Sequence, residues 1–260
     1  MLAASSDIGA HLASNFLRSG AAVAGTFRTH TPQVEALEKA GARLFHLDIG
    51  SNEQVKSFAK TLNECAFQWN IFISTAGVLD PIGGFFTTDF DAWEKSFITN
   101  SIAQLRVLHA IYSLRDQSRS AKVIFFAGGG TNGTFDNFSA YCAGKLTLIK
   151  MTELLDSECS DLDVSIIGTG WVNTKFHLQT LAAGAAAGLS LGKTQSFLKR
   201  TEGDGNTLVA VAECVDWCLN SPRSAVGGRN IALVNDPWRS TDFIEMLSAD
   251  SNRFKLRRHS

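Results

Sequence analysis

Tyr141 and Lys145 stand four residues apart in Tyr141-Cys142-Ala143-Gly144-Lys145. On a helix that spacing puts both side chains on one face. An ammonium beside a phenol stabilises the phenolate, drawing the tyrosine pKa from about 10 toward the working pH. Such a tyrosine can pass its proton to a carbonyl oxygen. The four-residue spacing is common by chance, so its setting matters more. Here it opens a helical stretch straight after the apolar run Phe125-Phe126-Ala127 and the loop Gly128-Gly129-Gly130. The only other tyrosine is Tyr112, so no rival pair exists.

Those two side chains need a scaffold, and the hydrophobic pattern predicts one. Short β-branched or aromatic runs at 21–27, 43–48, 70–76, 122–128, 163–168 and 230–235 alternate with helical periods. Ile8, Leu12 and Phe16 share one face of the first helix, and Gly20 stops it. Strands apolar on both faces and separated by helices predict an α/β fold with a parallel sheet covered on both sides. A ligand in such a sheet lies beyond the C-terminal strand ends. Arg28 follows the 21–27 run, at the place where an acid would bind ribose hydroxyls. Its guanidinium suits a 2′-phosphate, and a solvated loop arginine fits the same position.

Composition narrows the classes. The 260 residues carry 24 Lys+Arg against 25 Asp+Glu, with 45% hydrophobic residues, which excludes a disordered chain. A net charge of −1 recruits neither nucleic acid nor an anionic membrane. The five cysteines are odd in number and scattered, which favours a reducing compartment. Cys214 and Cys218 share a helical face but lack a second ligand pair, so core packing is expected and no metal. The segment Gly188-Leu189-Ser190-Leu191-Gly192-Lys193-Thr194 has three residues between its glycines where a P-loop needs four, and no strand precedes it. No leader pattern or membrane-length apolar run is visible, so a cytoplasmic location is expected.

Taken with the order of these segments, the Tyr141/Lys145 pair resembles that of the short-chain dehydrogenase/reductase family. The resemblance spans residue 2 to the last strand and implies a doubly wound, Rossmann-like sheet. It also implies one NAD(P)-binding domain over 1–260, with a substrate lid near 175–205 and a C-terminal extension near 237–260. Residues 2–9 fall on the family's Thr-Gly-x-x-x-Gly-x-Gly turn, with Gly9 kept and Ala3 and Asp7 in the other two glycine places. Ala3 is a mild change at negative φ, whereas Asp7 sets a carboxylate where a pyrophosphate should approach. Only Met1 and Leu2 precede the turn, so the first, central strand is expected to be truncated and the natural start to lie upstream.

The same resemblance implies the remaining site. Ser5, Ser6, Ile8 and Gly9 would form the phosphate turn, Arg28 would favour NADP, and Asp48 would approach the adenine. Ala76 and Gly77 keep the family's Ala-Gly pair after Ser74 and Thr75, which replace two asparagines. Asn100 would anchor a proton relay, Tyr141 would be the acid/base, and Lys145 would tune it and hold the nicotinamide ribose. Val172 and Thr174 would hold the carboxamide. The family's serine falls at Gly128, which has no hydroxyl, leaving Thr131 and then Ser139 as replacements. Losing such a stabiliser costs about 10²–10³ in rate where the site depends on it. In the lid, His177, Gln179 and Lys193 are the polar side chains to follow.

The ending, with Arg257 and Arg258 past the last strand, resembles a bacterial subgroup associated with surface-polysaccharide synthesis. Those arginines would reach the substrate mouth, complete a subunit interface, or form a frayed terminus. The implied function is an NAD(P)-dependent oxidoreductase, NADP(H) preferred over NAD(H), interconverting a small-molecule carbonyl and alcohol such as a sugar or sugar-nucleotide intermediate. A homo-oligomer, dimer or tetramer, is implied, with no nucleic-acid or membrane partner. The alternative is a catalytically impaired nucleotide-binding or scaffold protein on the same fold.

Overall fold

The computed structural model describes residues 1–199 and 207–258. The chain runs α1 (Asp7–Arg18), β1 (Ala24–Phe27), α2 (Pro32–Lys39), β2 (Arg43–His46), α3 (Asn52–Glu64) and β3 (Ile71–Ser74). It continues through α4 (Phe90–Asn100), α5 (Ile102–Ile111), β4 (Ala121–Phe126), α6 (Ser139–Glu158) and β5 (Leu162–Gly168). Then come α7 (Phe176–Ala183), α8 (Leu189–Lys199), α9 (Leu208–Asn220), α10 (Arg223–Val226), β6 (Asn230–Ala232) and α11 (Asp242–Ala249). Several starts are set by caps: the side chains of Ser6, Thr31, Ser51, Asp89 and Thr207 each accept from an N–H three residues on.

All strand pairs are parallel, in the orders β1-β2 and β3-β4-β5-β6. Residues 1–4 lie between the two groups and join them. Leu2 donates to Ile73 and accepts from Thr75, while Met1 accepts from Thr26 and Ala4 donates to Thr26. The Met1 nitrogen donates to the Ala24 carbonyl at 2.7 Å. The central place expected to be short of a strand is thus held by a two-sided backbone bridge, and its neighbours are paired there.

The period-2 alternation of the strands feeds two cores. Phe72, Val123, Phe125, Val164 and Ile166 face one side, with Val55, Val107 and Leu148 from α3, α5 and α6. Ile73, Ile124, Phe126, Ile167 and Ile231 face the other, with Leu12 of α1 and Val211, Cys214 and Cys218 of α9. This is the doubly wound, Rossmann-like sheet, and the cysteine pair is core. No helix among the described residues is long and apolar enough to cross a membrane.

Three expectations need correction. The strands expected at 43–48, 70–76 and 122–128 stop about two residues early, and those at 21–27 and 230–235 are shorter because Ala21 and Ala22 are exposed and Asp236 folds back to cap the Ala232 N–H at 2.6 Å. Arg257 does not reach a substrate mouth. It makes two hydrogen bonds to Glu153, at 2.6 and 3.1 Å, twelve residues along α6 from Tyr141, or about 18 Å of helix. Arg258 is exposed beside it, and His259 lies outside the described residues, as do residues 200–205 of the expected lid.

Ala3 gives the third correction, since it sits at φ 55°, not at negative φ. The left-handed region crowds Cβ against the following carbonyl and costs a non-glycine residue about 1 kcal/mol. Ala3→Gly is therefore expected to stabilise the protein by about 1 kcal/mol, raising the thermal midpoint by roughly 2–4 °C. Calorimetry of the two proteins side by side checks it, and an unchanged or lower midpoint would contradict the strain assignment.

Candidate active site

Lys145 and Tyr141 lie on the inner face of α6, both buried, at 4% and 7% exposure. The Lys145 ammonium donates to the carbonyls of Phe126 at 2.9 Å and Ala76 at 3.2 Å, the C-terminal ends of two neighbouring strand segments. Its nitrogen lies 5.9 Å from the centre of the Tyr141 ring. Burial lowers the Lys145 pKa from 10.5 to about 8. Burial also pushes the Tyr141 phenol well above its ordinary 10, outweighing the ammonium nearby. The expected lowering of the tyrosine by its lysine is absent in this closed arrangement.

Gly128 explains the missing serine. A Cβ built there would lie 2.2 Å from the Tyr141 hydroxyl, so a side chain at 128 and the tyrosine in this position exclude one another. Thr131 does not fill the gap, because its hydroxyl donates to the Gly128 carbonyl at 3.3 Å. Ser139 accepts from the indole N–H of Trp93 at 2.9 Å, at the outer end of α6. An open cleft of about 650 Å³ lies on that outer side, between Gly83–Phe85 and Gly130–Asn137; it reaches Ser139 and Cys142 but not Tyr141.

Asn100 ends α4 fully buried. Its amide donates to the carbonyls of Val78 at 2.8 Å and Ser96 at 3.0 Å, and its Oδ1 accepts from the Val78 N–H at 3.1 Å. It thereby clamps the segment that follows Ala76 and Gly77. Gly77 lies against the cluster: a Cβ there would be 3.4 Å from Asn100 Oδ1, 3.6 Å from Lys145 Nζ and 3.7 Å from the Phe176 ring.

Two residues absent from the sequence reading complete this wall. Gln104 is fully buried, accepts from the Ser74 hydroxyl at 2.6 Å, and donates to the Ala76 and Thr99 carbonyls at 3.2 Å. It shares the Ala76 carbonyl with Lys145. The signal was present: Gln104 lies on the buried stripe of α5 with Val107, Leu108 and Ile111, where an amide needs partners. Phe176, the first residue of α7, packs against Tyr141 with ring centres 5.7 Å apart. As one more apolar lid residue, it gave no such signal.

The phosphate turn is held by a chain of hydroxyls. The Gly9 N–H donates to Ser6 Oγ at 3.0 Å, Ser6 and Thr75 hydroxyls meet at 2.9 Å, and Thr75 donates to the carbonyls of Leu2 and Ala3. Thr75, at the place of the second asparagine, thereby ties the strand end to the turn. Gly9 is required by close approach, since a Cβ there would stand 2.4 Å from the Ala3 carbonyl oxygen. Ser5 lies half-buried in the turn, while the Ile8 side chain packs against the α1/α9 core, leaving only its backbone to a ligand.

First-turn N–H groups of a helix such as α1 have no intrahelical acceptor and favour an anion. That opening, the close-packed Gly9 and the wall at Gly77 fit a nicotinamide dinucleotide. Ser6, Gly9, Ala76, Gly77 and Lys145 would hold it. Arg28 is exposed just past β1, free to meet a phosphate at that end. Asp48 is half-buried, with Oδ1 turned to the Gly50 N–H at 2.9 Å. Val172 is buried, and its carbonyl meets Nε2 of His177 at 2.8 Å; Thr174 is half-buried beside it. Gln179 accepts from the Leu79 N–H at 2.8 Å, whereas Lys193 is exposed. No group of three or more metal-ligating side chains converges among the described residues.

An uncharacterised oxidoreductase of Schizosaccharomyces pombe is 24% identical over 89% of this chain and 89% of its own length. A crystal structure of a short-chain dehydrogenase/reductase from Saccharomyces cerevisiae superposes with a TM-score of 0.79 at 20% identity, covering 93% of this chain and 97% of that one. A Burkholderia cenocepacia short-chain dehydrogenase in complex with NADP gives 0.72 at 19% identity, covering 89% and 93%. Residues 1–183 match the short chain dehydrogenase family, and with its tyrosine, lysine and asparagine drawn to one strand end the chain belongs to that family.

Proposed function

We propose that the protein is an NAD(P)-dependent oxidoreductase, preferring NADP(H), that interconverts a carbonyl and an alcohol. The observation that carries this is the buried Tyr141/Lys145 pair at the C-terminal ends of β3 and β4, faced by Gly77 and Asn100. The dinucleotide, when bound, supplies or takes up the hydride. Tyr141 holds the proton that reaches the carbonyl oxygen, and Lys145 keeps a positive charge beside it. Asn100 acts on the wall behind them by fixing Val78. With Thr131 and Ser139 both turned elsewhere, the substrate oxygen depends on Tyr141 alone, which suits a site of modest rate.

NADP preference rests on Arg28 and finds support in a fold relative that carries NADP. A sugar or sugar-nucleotide substrate is the finer reading, suggested by the C-terminal extension; Arg257, bound to Glu153, contributes nothing to it. The scaffold alternative rests on Asp7 in the phosphate turn and the absence of a hydroxyl at Gly128.

Three outcomes test this. Tyr141→Phe is expected to lower reduction of a responsive aldehyde or ketone by about 10²–10⁴ with NADPH affinity unchanged; equal rates would move the protein to the scaffold reading. Arg28→Ala should weaken NADPH binding about tenfold and leave NADH unaffected, removing one charge-assisted phosphate contact. Equal losses for both dinucleotides would remove Arg28 from the 2′-phosphate. As for pH, the Lys145 ammonium is present below about 8 and lost above it, while Tyr141 stays protonated throughout. The reduction rate should fall as pH rises through about 8, and a flat profile from pH 6 to 10 would separate Lys145 from the reaction.

A further inference from the structure

The opening of α7 touches both ends of the dinucleotide groove. At one end, the Asp7 carboxylate sits in the first turn of α1, where a pyrophosphate is drawn by the helix dipole. It accepts from the Lys175 N–H at 2.7 Å through Oδ2, and its Oδ1 lies 3.6 Å from the Lys175 ammonium. At the other end, the next residue, Phe176, lies between Tyr141 and Gly77. Gln179 ties the following turn to the Leu79 N–H. Behind it, Leu79, Ile82, Phe138, Tyr141 and Ala187 close into one apolar cluster. Tyr141 and Lys145 are left with almost no contact with solvent.

A hydride donor and a carbonyl group both have to come against Tyr141, and the Phe176 ring occupies that side of it. An anion at the α1 turn likewise meets a carboxylate already bound to the nearest cation. The two conflicts are linked through the chain, because Lys175 and Phe176 are consecutive at the start of α7.

We infer that Asp7 and the start of α7 are an internal competitor for the dinucleotide: the Asp7 carboxylate holds the pyrophosphate's place against Lys175, and Phe176 holds the nicotinamide's place against Tyr141. This rests on the dinucleotide-binding reading above. On binding, the pyrophosphate displaces the carboxylate from the Lys175 N–H and ammonium, α7 moves outward, and Phe176 leaves Tyr141. Lys175 then becomes a phosphate ligand. The apparent affinity of the wild type is reduced by the fraction of molecules that are open.

The test is a titration of the full chain with NADPH, read by cofactor fluorescence, for wild type, Asp7→Ala, Phe176→Ala and Lys175→Ala. Circular dichroism confirms that each is folded. Asp7→Ala and Phe176→Ala should each bind about tenfold more tightly, as a closed fraction near nine-tenths requires. Lys175→Ala removes the ammonium but keeps the backbone N–H bond to Asp7, and it also removes the phosphate ligand, so it should gain less than Asp7→Ala. In stopped flow, the wild-type association rate should level off at high NADPH, limited by opening, and rise linearly in Phe176→Ala. Wild-type binding with equal or weaker affinity in both Asp7→Ala and Phe176→Ala overturns the competitor while leaving the dinucleotide reading intact. Folded proteins that all fail to bind either NADPH or NADH overturn both.

Discussion

A single ammonium with almost no contact with water organises the centre of this molecule. Lys145 reaches from α6 to the carbonyls of Phe126 and Ala76, so the last residue of β4 and the segment after β3 must end side by side. The parallel register that sets Ser74 opposite Phe125 meets that demand. Gln104 meets the rest of it by holding Ala76 from behind and Ser74 at the strand end. Holding the lysine at about 8 instead of 10.5 costs the folded state about 3 kcal/mol at neutral pH. The sign is that of a depressed cation. The unfolded chain binds more protons between pH 8 and 10.5, so this part of stability rises with pH across that window. A fold retains such an expense where the charge has chemical work to do.

The departures from the family pattern are linked by contact, and each is answered locally. Tyr141 lies so close to residue 128 that glycine there and this tyrosine position belong together. Two hydroxyls stand where asparagines are usual; Thr75 binds the turn at Leu2 and Ala3, and Ser74 donates a hydrogen bond to Gln104. The amide lost from the strand end has in effect moved to α5. Ala3, in the left-handed region, has no comparable answer and remains strained.

The alternating elements and their order were legible in the sequence, because strands apolar on both faces and helices apolar on one leave few ways to bury them. Tyr141 and Lys145 were legible for the same reason, since helix spacing and the strand before them place both on one face, whereas Asn100 was legible only through the family resemblance. Other features depended on a tertiary partner that no local pattern names. The φ of Ala3 is set by its N–H donating to the Thr26 hydroxyl and its carbonyl accepting from Thr75, both far along the chain. Thr131 and Ser139 were reasonable substitutes by distance in sequence, yet a carbonyl and an indole claim them. Arg257 was read toward the site because it carries charge at an open end, but Glu153 on α6 supplies a nearer opposite charge and holds its pKa high.

The closed site and its electrostatics have one cause. Phe176 and the apolar cluster around Tyr141 exclude water, and that exclusion raises the phenol and depresses the ammonium together. Both shifts favour the neutral member of each pair, so tyrosine keeps its proton and lysine gives its proton up more readily. A phenol holding its proton this tightly is poor at releasing it to water and well placed to give it to an oxyanion whose basicity is higher still. What the closed state withholds is therefore access and not protonation. Opening α7 changes which groups can reach Tyr141 while the proton needed for reduction is already in place.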